Sequence, residues 1–186
     1  MLAAGACFLL ETGGHLWQTG QRSQINTMAE QEMKSVKGGV TAAKGFVANA
    51  ISCGIKKPTA TRLDLALVYS ELPATSAGTF TTNRVRAACV RVSQAHLKRG
   101  NIRAVVANSG NANACTGAPG VAVARKECSI VAKELGLQPR EVAVCSTGVI
   151  GLPMPMVRIE PRLPELCSHL SAKKGHDVAS AIITSD

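Results

Sequence analysis

Short apolar runs typical of buried strands alternate along this chain with a segment of helical periodicity, and this alternation constrains the fold more than any other feature. Residues 62–70 place an apolar side chain at every second position, and residues 102–107 read IRAVVA. Before the next apolar run at 142–145, one helical face carries apolar side chains at spacings of three and four: Val121, Ala124, Cys128, Val131 and Leu135. Interleaved strands and helices predict an α/β or α+β domain, with helices layered on a sheet.

The segment between these strands predicts a second extended pair. Residues 71–78 are expected to form a loop, and residues 79–82 and 84–92 to form paired strands. Ser93 is expected to cap the N-terminus of a short helix through Arg99, and Gly100 to close that helix in the left-handed conformation.

The two ends of the chain differ in character. Residues 1–36 are expected to be a poorly ordered extension, and residues 37–186 the folded domain. Residues 152–164 are rich in proline and predict a connection. A short helix is expected at 165–172, and a further element starts near residue 176.

The formal charge of +9, from 21 Lys and Arg against 12 Asp and Glu, raises the question of a nucleic-acid partner. The basic residues fall in scattered pairs such as Lys56-Lys57, and only 3% of the chain is aromatic, so stacking platforms for bases are lacking. We therefore expect no nucleic-acid binding. Two interpretations of the charge remain: attraction of small carboxylate-bearing substrates, or complementarity to an acidic partner chain.

Seven cysteines, an odd number without any C-x-x-C pair, predict neither a disulfide framework nor a zinc site. The four histidines also lack metal-ligand spacing, so no metal is expected. Reduced cysteines favour a cytoplasmic location, or an organelle if the extension is a transit segment. The apolar residues 1–10 are too few to span a bilayer, so no membrane contact is expected.

The apolar run at 142–145 stops at Ser146-Thr147-Gly148, which brings a hydroxyl and a flexible backbone N–H together at the end of a strand. Two such donors can stabilise a developing oxyanion. Ordinary turn chemistry is the alternative interpretation. The neighbouring Cys145 could be a nucleophile, but strand alternation favours a core position for it.

The asparagine-rich loop at 108–117 precedes the helical segment and invites comparison with phosphate-binding loops. It contains neither G-x-x-x-x-G-K-[ST] nor G-x-G-x-x-G. Its asparagines could cross-link the loop or present amides to a ligand, and the structural role is favoured.

Five ordered motifs carry a resemblance to one enzyme family: GGVTAAKGF at 38–46, DLALVYSELPATSAGTFTTNRVRAACV at 64–90, VVANSGNANACTG at 105–117, STGVIG at 146–151 and AIITSD at 181–186. The chain resembles the N-terminal portion of the bifunctional ornithine acetyltransferase/glutamate N-acetyltransferases of arginine biosynthesis. The resemblance implies the layered sheet-and-helix fold of self-processing ornithine acetyltransferases and aminopeptidases.

It also implies a precursor that cuts itself before a threonine, which becomes the N-terminal nucleophile of a β portion. That threonine takes an acetyl group from N-acetylornithine, or in some members from acetyl-CoA, and glutamate then accepts it. This chain would be the α portion, truncated at its C-terminus and paired with a β chain in an α/β hetero-oligomer. It would bind no cofactor, supply no nucleophile and be inactive alone.

By the same resemblance, Thr147 and Gly148 would form the oxyanion hole, and Thr184 would contact the substrate. Strand-end hydrogen bonding is the structural alternative for Thr184. Cys89 stands where the family commonly has proline, a change expected to affect only strand geometry. The competing functional hypotheses are a non-catalytic truncated homologue that binds a partner chain or a small amino acid, and a related self-processing aminopeptidase.

Overall fold

Four strands form a mixed sheet beside a separate two-stranded pair. This computed structural model describes residues 6–11 and 35–184, and its strands are β1 (Ala6–Glu11), β2 (Phe46–Ile51), β3 (Leu65–Ser70), β4 (Thr75–Phe80), β5 (Ala104–Asn108) and β6 (Val142–Ser146). The sheet order is β2-β3-β5-β6. β3 runs antiparallel to both β2 and β5, whereas β6 runs parallel to β5. β1 pairs with β4 in antiparallel fashion.

The helices follow the strands in interleaved order: α1 (Ala88–Leu97), α2 (Gly117–Leu135), α3 (Met156–Ile159), α4 (Leu163–Ser168) and α5 (Gly175–Ile182). α2 joins the two parallel strands, a connection that parallel pairing requires. Its expected end is confirmed, because Gly136 adopts a left-handed φ of 66°. None of the helices in the described residues combines the length and apolar character needed to cross a membrane.

The two faces of the sheet are covered by different helices, and the alternation in β3 explains why. Leu65 and Leu67 point into the larger core, which also receives side chains from α1, α2 and α4. Ala66 points to the opposite face, where it packs with Ala48 of β2 and Val178 of α5. The small residues on that face let α5 lie close to the sheet. The predicted α/β class is thereby confirmed.

The segment expected as a strand at 84–92 forms no strand: residues 84–87 precede α1, and residues 88–92 are its first part. Ser93, expected as an N-cap, lies inside this helix and is fully buried. Its hydroxyl donates to the Val144 carbonyl at 2.7 Å and accepts from the Val144 N–H at 2.9 Å. These bonds pair the Val144 backbone at the outer edge of β6, where no further strand of the described residues lies. Gly100 does not close the helix, because Lys98 is its C-cap.

Cys89 is the second residue of α1 and is buried. The expectation that it affects strand geometry is therefore wrong. Proline is well tolerated in the first turn of a helix, where a missing N–H costs no internal hydrogen bond. Compared with proline, cysteine at this position adds a backbone N–H donor and a small apolar side chain.

Other boundaries also differ from expectation. β4 begins at Thr75, inside the segment expected as a loop. The proline-rich connection at 152–164 contains α3 and the start of α4. The short helix expected at 165–172 is therefore present as α4, but it begins at Leu163 and ends at Ser168. Thr184 follows a helix, α5, so its proposed strand-end alternative is wrong. Most of the extension at 1–36 lies outside the described residues, apart from β1 and residues 35–36.

Candidate functional site

A cleft of about 310 Å³ opens at the carboxyl ends of the parallel strands β5 and β6. Its size lies at the lower end of the range for small-molecule sites. Four stretches of chain line it: Lys56, Ala60, Arg62 and Asp64; Ser109 and Gly110; Thr147, Gly148, Val149 and Ile150; Ile183 and Thr184. The three residues expected to act on the substrate thus lie in one cleft.

Gly148 occupies a position that no other residue could fill without strain. Its φ is 131°, and a Cβ atom there would lie 2.6 Å from the Asn111 backbone nitrogen. Two backbone hydrogen bonds join the segments that meet here: the Val149 N–H donates to the Gly110 carbonyl, and the Ala112 N–H donates to the Val149 carbonyl. Within the described residues, the Gly148 N–H has no hydrogen-bond partner. Gly148 lines the cleft, so we expect this donor to meet a ligand that binds there.

Thr147 stands at the end of β6, where its own N–H donates to the Asn108 carbonyl at 3.0 Å. The side chain is half-buried and lines the cleft. Its hydroxyl makes no hydrogen bond to another described residue. Together with the Gly148 N–H, it offers two neighbouring donors suited to an oxygen that gains negative charge.

Thr184 reaches the cleft because Arg62 holds its segment there. The Arg62 guanidinium donates to the Ile183 carbonyl and, at 3.4 Å, to the Thr184 carbonyl. Sequence reasoning missed Arg62, since the bond joins residues more than a hundred positions apart. No local pattern marks such a contact.

Asp64 is the second residue that sequence reasoning missed. It is 4% exposed, and its two carboxylate oxygens accept the Cys53 and Ile55 N–H groups, each at 2.6 Å. Charge-assisted bonds of this kind are stronger than neutral ones. Asp64 therefore fixes the turn after β2. An acidic residue at the buried start of an apolar strand was the available signal.

The asparagines of the loop at 108–117 cross-link the loop, as favoured from the sequence. The Asn108 amide donates to the Asn111 carbonyl at 2.9 Å, and the Asn113 amide donates to the Gly120 carbonyl at 3.0 Å. The Asn111 amide reaches the Leu152 carbonyl at 3.2 Å. These bonds hold the loop that forms one wall of the cleft.

Residues 47–186 match the ArgJ family. The chain belongs to the ArgJ family. Two proteins called arginine biosynthesis bifunctional protein ArgJ illustrate the relationship. The one from Geobacter sulfurreducens is 49% identical over 143 residues, and the one from Symbiobacterium thermophilum is 44% identical over 154 residues. These alignments cover 77% and 83% of this chain but only 36% and 38% of the relatives. The ArgJ-family chain thus spans a little over a third of their length.

Solved structures of ArgJ-family proteins share the fold. The ornithine acetyltransferase of Mycobacterium tuberculosis, complexed with ornithine, has a TM-score of 0.77 and 41% identity. That match covers 81% of this chain and 82% of the other. The bifunctional ArgJ protein of Bacillus halodurans has a TM-score of 0.74 and 33% identity, over 97% of this chain and 81% of the other. The family resemblance inferred from the five motifs is confirmed.

Cys145 takes no part in the cleft of this ArgJ-family chain. It lies in β6, and burial raises the pKa of its thiol to about 12, so the nucleophilic thiolate does not form near neutral pH. Within the described residues, no histidine or cysteine lines the cleft. The same residues contain no group of three His, Cys, Asp or Glu side chains placed to hold a metal ion.

Proposed function

We propose that this chain is the α portion of an acetyltransferase that moves an acetyl group from N-acetylornithine to glutamate in arginine biosynthesis. The observation that carries the proposal is the cleft itself. There, the Thr147 hydroxyl and the Gly148 N–H are free to donate, and Thr184 lies in the same cleft. Membership of the ArgJ family and likeness to a solved ornithine acetyltransferase support this reaction class.

The two donors act on the acetyl carbonyl oxygen. In the first step, a threonine hydroxyl of a β portion attacks the acetyl carbon of N-acetylornithine, and the carbonyl oxygen becomes an oxyanion held by Thr147 and Gly148. The carbon–nitrogen bond then breaks, and the nitrogen takes up the proton released by the threonine hydroxyl and leaves as the amine of ornithine. The product is an acetyl-threonine ester. In the second step, the amine of glutamate attacks this ester, the carbon–oxygen bond to threonine breaks, and a proton from the amine restores the threonine hydroxyl.

The role of a separate β portion is supported by the lengths of the matched chains. The alignment spans about a third of the ArgJ relatives from G. sulfurreducens and S. thermophilum, yet 82% of the matched M. tuberculosis chain. A chain of about this size therefore occurs as a separate polypeptide in an ornithine acetyltransferase structure. The nucleophile comes from the β portion, and this chain alone transfers no acetyl group.

Thr184 contacts the bound substrate, and Arg62 keeps it in place through the backbone carbonyls at 183 and 184. Acetyl-CoA is proposed as a second acetyl donor by the same acyl-threonine route. The oxyanion donors would serve both substrates, because the carbonyl that is attacked is the same.

The proposal is tested by acetyl transfer in the complete enzyme, with a β portion present. N-acetylornithine that carries an isotopically labelled acetyl group is mixed with enzyme, and intact-mass spectrometry measures both chains. We expect one labelled acetyl group on the β portion and none on this chain. Added glutamate should remove the label and yield labelled N-acetylglutamate.

The same assay distinguishes the other hypotheses. Binding of N-acetylornithine without any acetyl transfer would indicate a non-catalytic homologue and would refute the proposal. Release of an amino acid from a peptide, without acetyl transfer, would indicate an aminopeptidase. An assay with acetyl-CoA in place of N-acetylornithine tests the second donor.

A further inference from the structure

The cleft contains a positive charge that the proposed oxyanion chemistry does not use. Lys56 and Arg62 are the cationic side chains among the described residues that line it. The Arg62 guanidinium donates hydrogen bonds to the Ile183 and Thr184 carbonyls. The acidic residue of the lining, Asp64, is committed to two backbone N–H groups. Within the described residues, Lys56 has neither an ion pair nor a hydrogen bond to its side chain.

The turn that carries Lys56 is held rigidly from two sides. On one side, the Asp64 carboxylate accepts the N–H groups of residues 53 and 55. On the other, the Arg158 guanidinium donates to the Gly54 carbonyl at 2.6 Å and to the Ile55 carbonyl at 3.4 Å. Because the backbone is already fixed, binding of a ligand to the side chain carries little further cost for ordering the turn.

The Lys56 backbone also lies directly against the wall that carries the oxyanion donors. A Cβ atom built on Gly110 would be 3.0 Å from both the nitrogen and the Cβ of Lys56. The Gly110 carbonyl in turn accepts the Val149 N–H, next to Gly148. The lysine and the oxyanion donors therefore border the same part of the cleft.

The covalent structure of the substrates matches the placement of Lys56 beside the oxyanion donors. In an N-acetyl α-amino acid, only the amide nitrogen and the α-carbon separate the acetyl carbonyl from the carboxylate. A substrate whose acetyl oxygen faces Thr147 and Gly148 must therefore place its carboxylate within the same cleft. An anionic group there needs a compensating cation.

We propose that Lys56 binds the α-carboxylate of N-acetyl amino acids and selects substrates that carry one. The proposal rests on the proposed function, which supplies the N-acetyl amino acid. It gives one use for the excess positive charge noted in the sequence.

The test compares two ligands that differ only in the carboxylate. N-acetylputrescine is N-acetylornithine without that group. Dissociation constants for both are measured by calorimetry on the complete enzyme, assembled from separately produced α and β portions in which the β-portion nucleophile is replaced by alanine, so that no acetyl group is transferred. The α portions compared are the wild type, Lys56→Met, Lys56→Arg and Lys57→Met. Lys57 is the matched control, because it is also exposed but does not line the cleft.

We expect Lys56→Met to weaken binding of N-acetylornithine about ten- to a hundredfold, the effect of losing a hydrogen bond to a charged group. Its binding of N-acetylputrescine should stay close to that of the wild type. Lys56→Arg should recover most of the loss, and Lys57→Met should show none.

Equal weakening of both ligands would show that Lys56 only supports the fold of the cleft, and no weakening of either would show that it does not meet the ligand. Either result, or the absence of wild-type binding, overturns the proposal. Failure of the proposed function has a different signature: the wild-type enzyme would bind N-acetylornithine and transfer no acetyl group to glutamate.

Discussion

Replacement of Glu127 by glutamine is expected to make the folded chain more stable near pH 8 and to leave its stability almost unchanged near pH 4.5. Glu127 lies on α2, is 2% exposed, and its Oε1 atom has no hydrogen-bond partner within the described residues. Burial without a compensating cation favours the neutral carboxyl. It raises the pKa of Glu127 from 4.5 to about 8.

The sign of the pH effect follows from which state binds the proton. Below pH 4.5 both the folded and the unfolded chain hold it, so Glu127 contributes nothing to the pH dependence. Between pH 4.5 and 8 the unfolded chain releases the proton while the folded chain retains it, and the free energy of unfolding falls. The loss reaches roughly 4 kcal/mol by pH 8, at 1.36 kcal/mol for each unit of pKa difference. That is a large share of the 5–15 kcal/mol by which domains are usually stable.

Urea unfolding followed by circular dichroism between pH 4.5 and 8.5 measures this effect. The wild-type curve should fall toward alkaline pH, and the Glu127→Gln curve should be flatter and lie above it. Glu134→Gln is the control, because Glu134 is exposed on the same helix and its replacement should leave the wild-type slope intact. Parallel curves for the wild type and Glu127→Gln would refute the assignment of a buried neutral carboxyl.

Three further predictions concern the cleft and its surroundings. Gly148→Ala should cost about 2–4 kcal/mol of stability in urea unfolding, because the new Cβ atom combines a positive φ with a steric clash. Gly136→Ala is the control, since Gly136 has a positive φ but open space around it, and it should cost clearly less. Equal losses of stability in the two variants would contradict the clash. Asp64→Asn should lower stability by about 2–3 kcal/mol through the loss of a charged acceptor for two N–H groups, and wild-type stability would show that the turn does not depend on it. Iodoacetamide at neutral pH should label the exposed Cys115 and spare Cys145, whose thiol has a raised pKa, as detected by peptide mass spectrometry. A label on Cys145 in the folded protein would contradict that raised pKa.

The elements that were predictable from the sequence are those whose own pattern decides their structure. β3 alternates cleanly, so both its strand and its two faces could be read directly. α2 is long enough for its helical period to be unambiguous, and Gly136 marks its end. The position of Thr147 and Gly148 followed from the abrupt end of β6.

The errors occurred where tertiary contacts override local pattern. In α1, Val90 and Val92 are β-branched and two positions apart, a pattern that favours a strand. The segment is helical instead, and from this helix the Ser93 hydroxyl bonds to the carbonyl and the N–H of Val144 at the edge of the sheet. Arg62 and Asp64 were missed because their partners lie in other parts of the chain or in a turn without regular periodicity. A cleft assembled from four separate stretches leaves no single motif in the sequence.

The kinetics of Thr147→Ala in the complete enzyme test whether Thr147 and Gly148 stabilise the oxyanion of acetyl transfer. The control is Thr79→Ala, since Thr79 is exposed on β4 and does not line the cleft. We predict that Thr147→Ala lowers the turnover number about a hundredfold or more with an unchanged circular dichroism spectrum, whereas Thr79→Ala keeps wild-type turnover. Wild-type turnover in Thr147→Ala would show that this hydroxyl does not stabilise the oxyanion and would remove it from the mechanism.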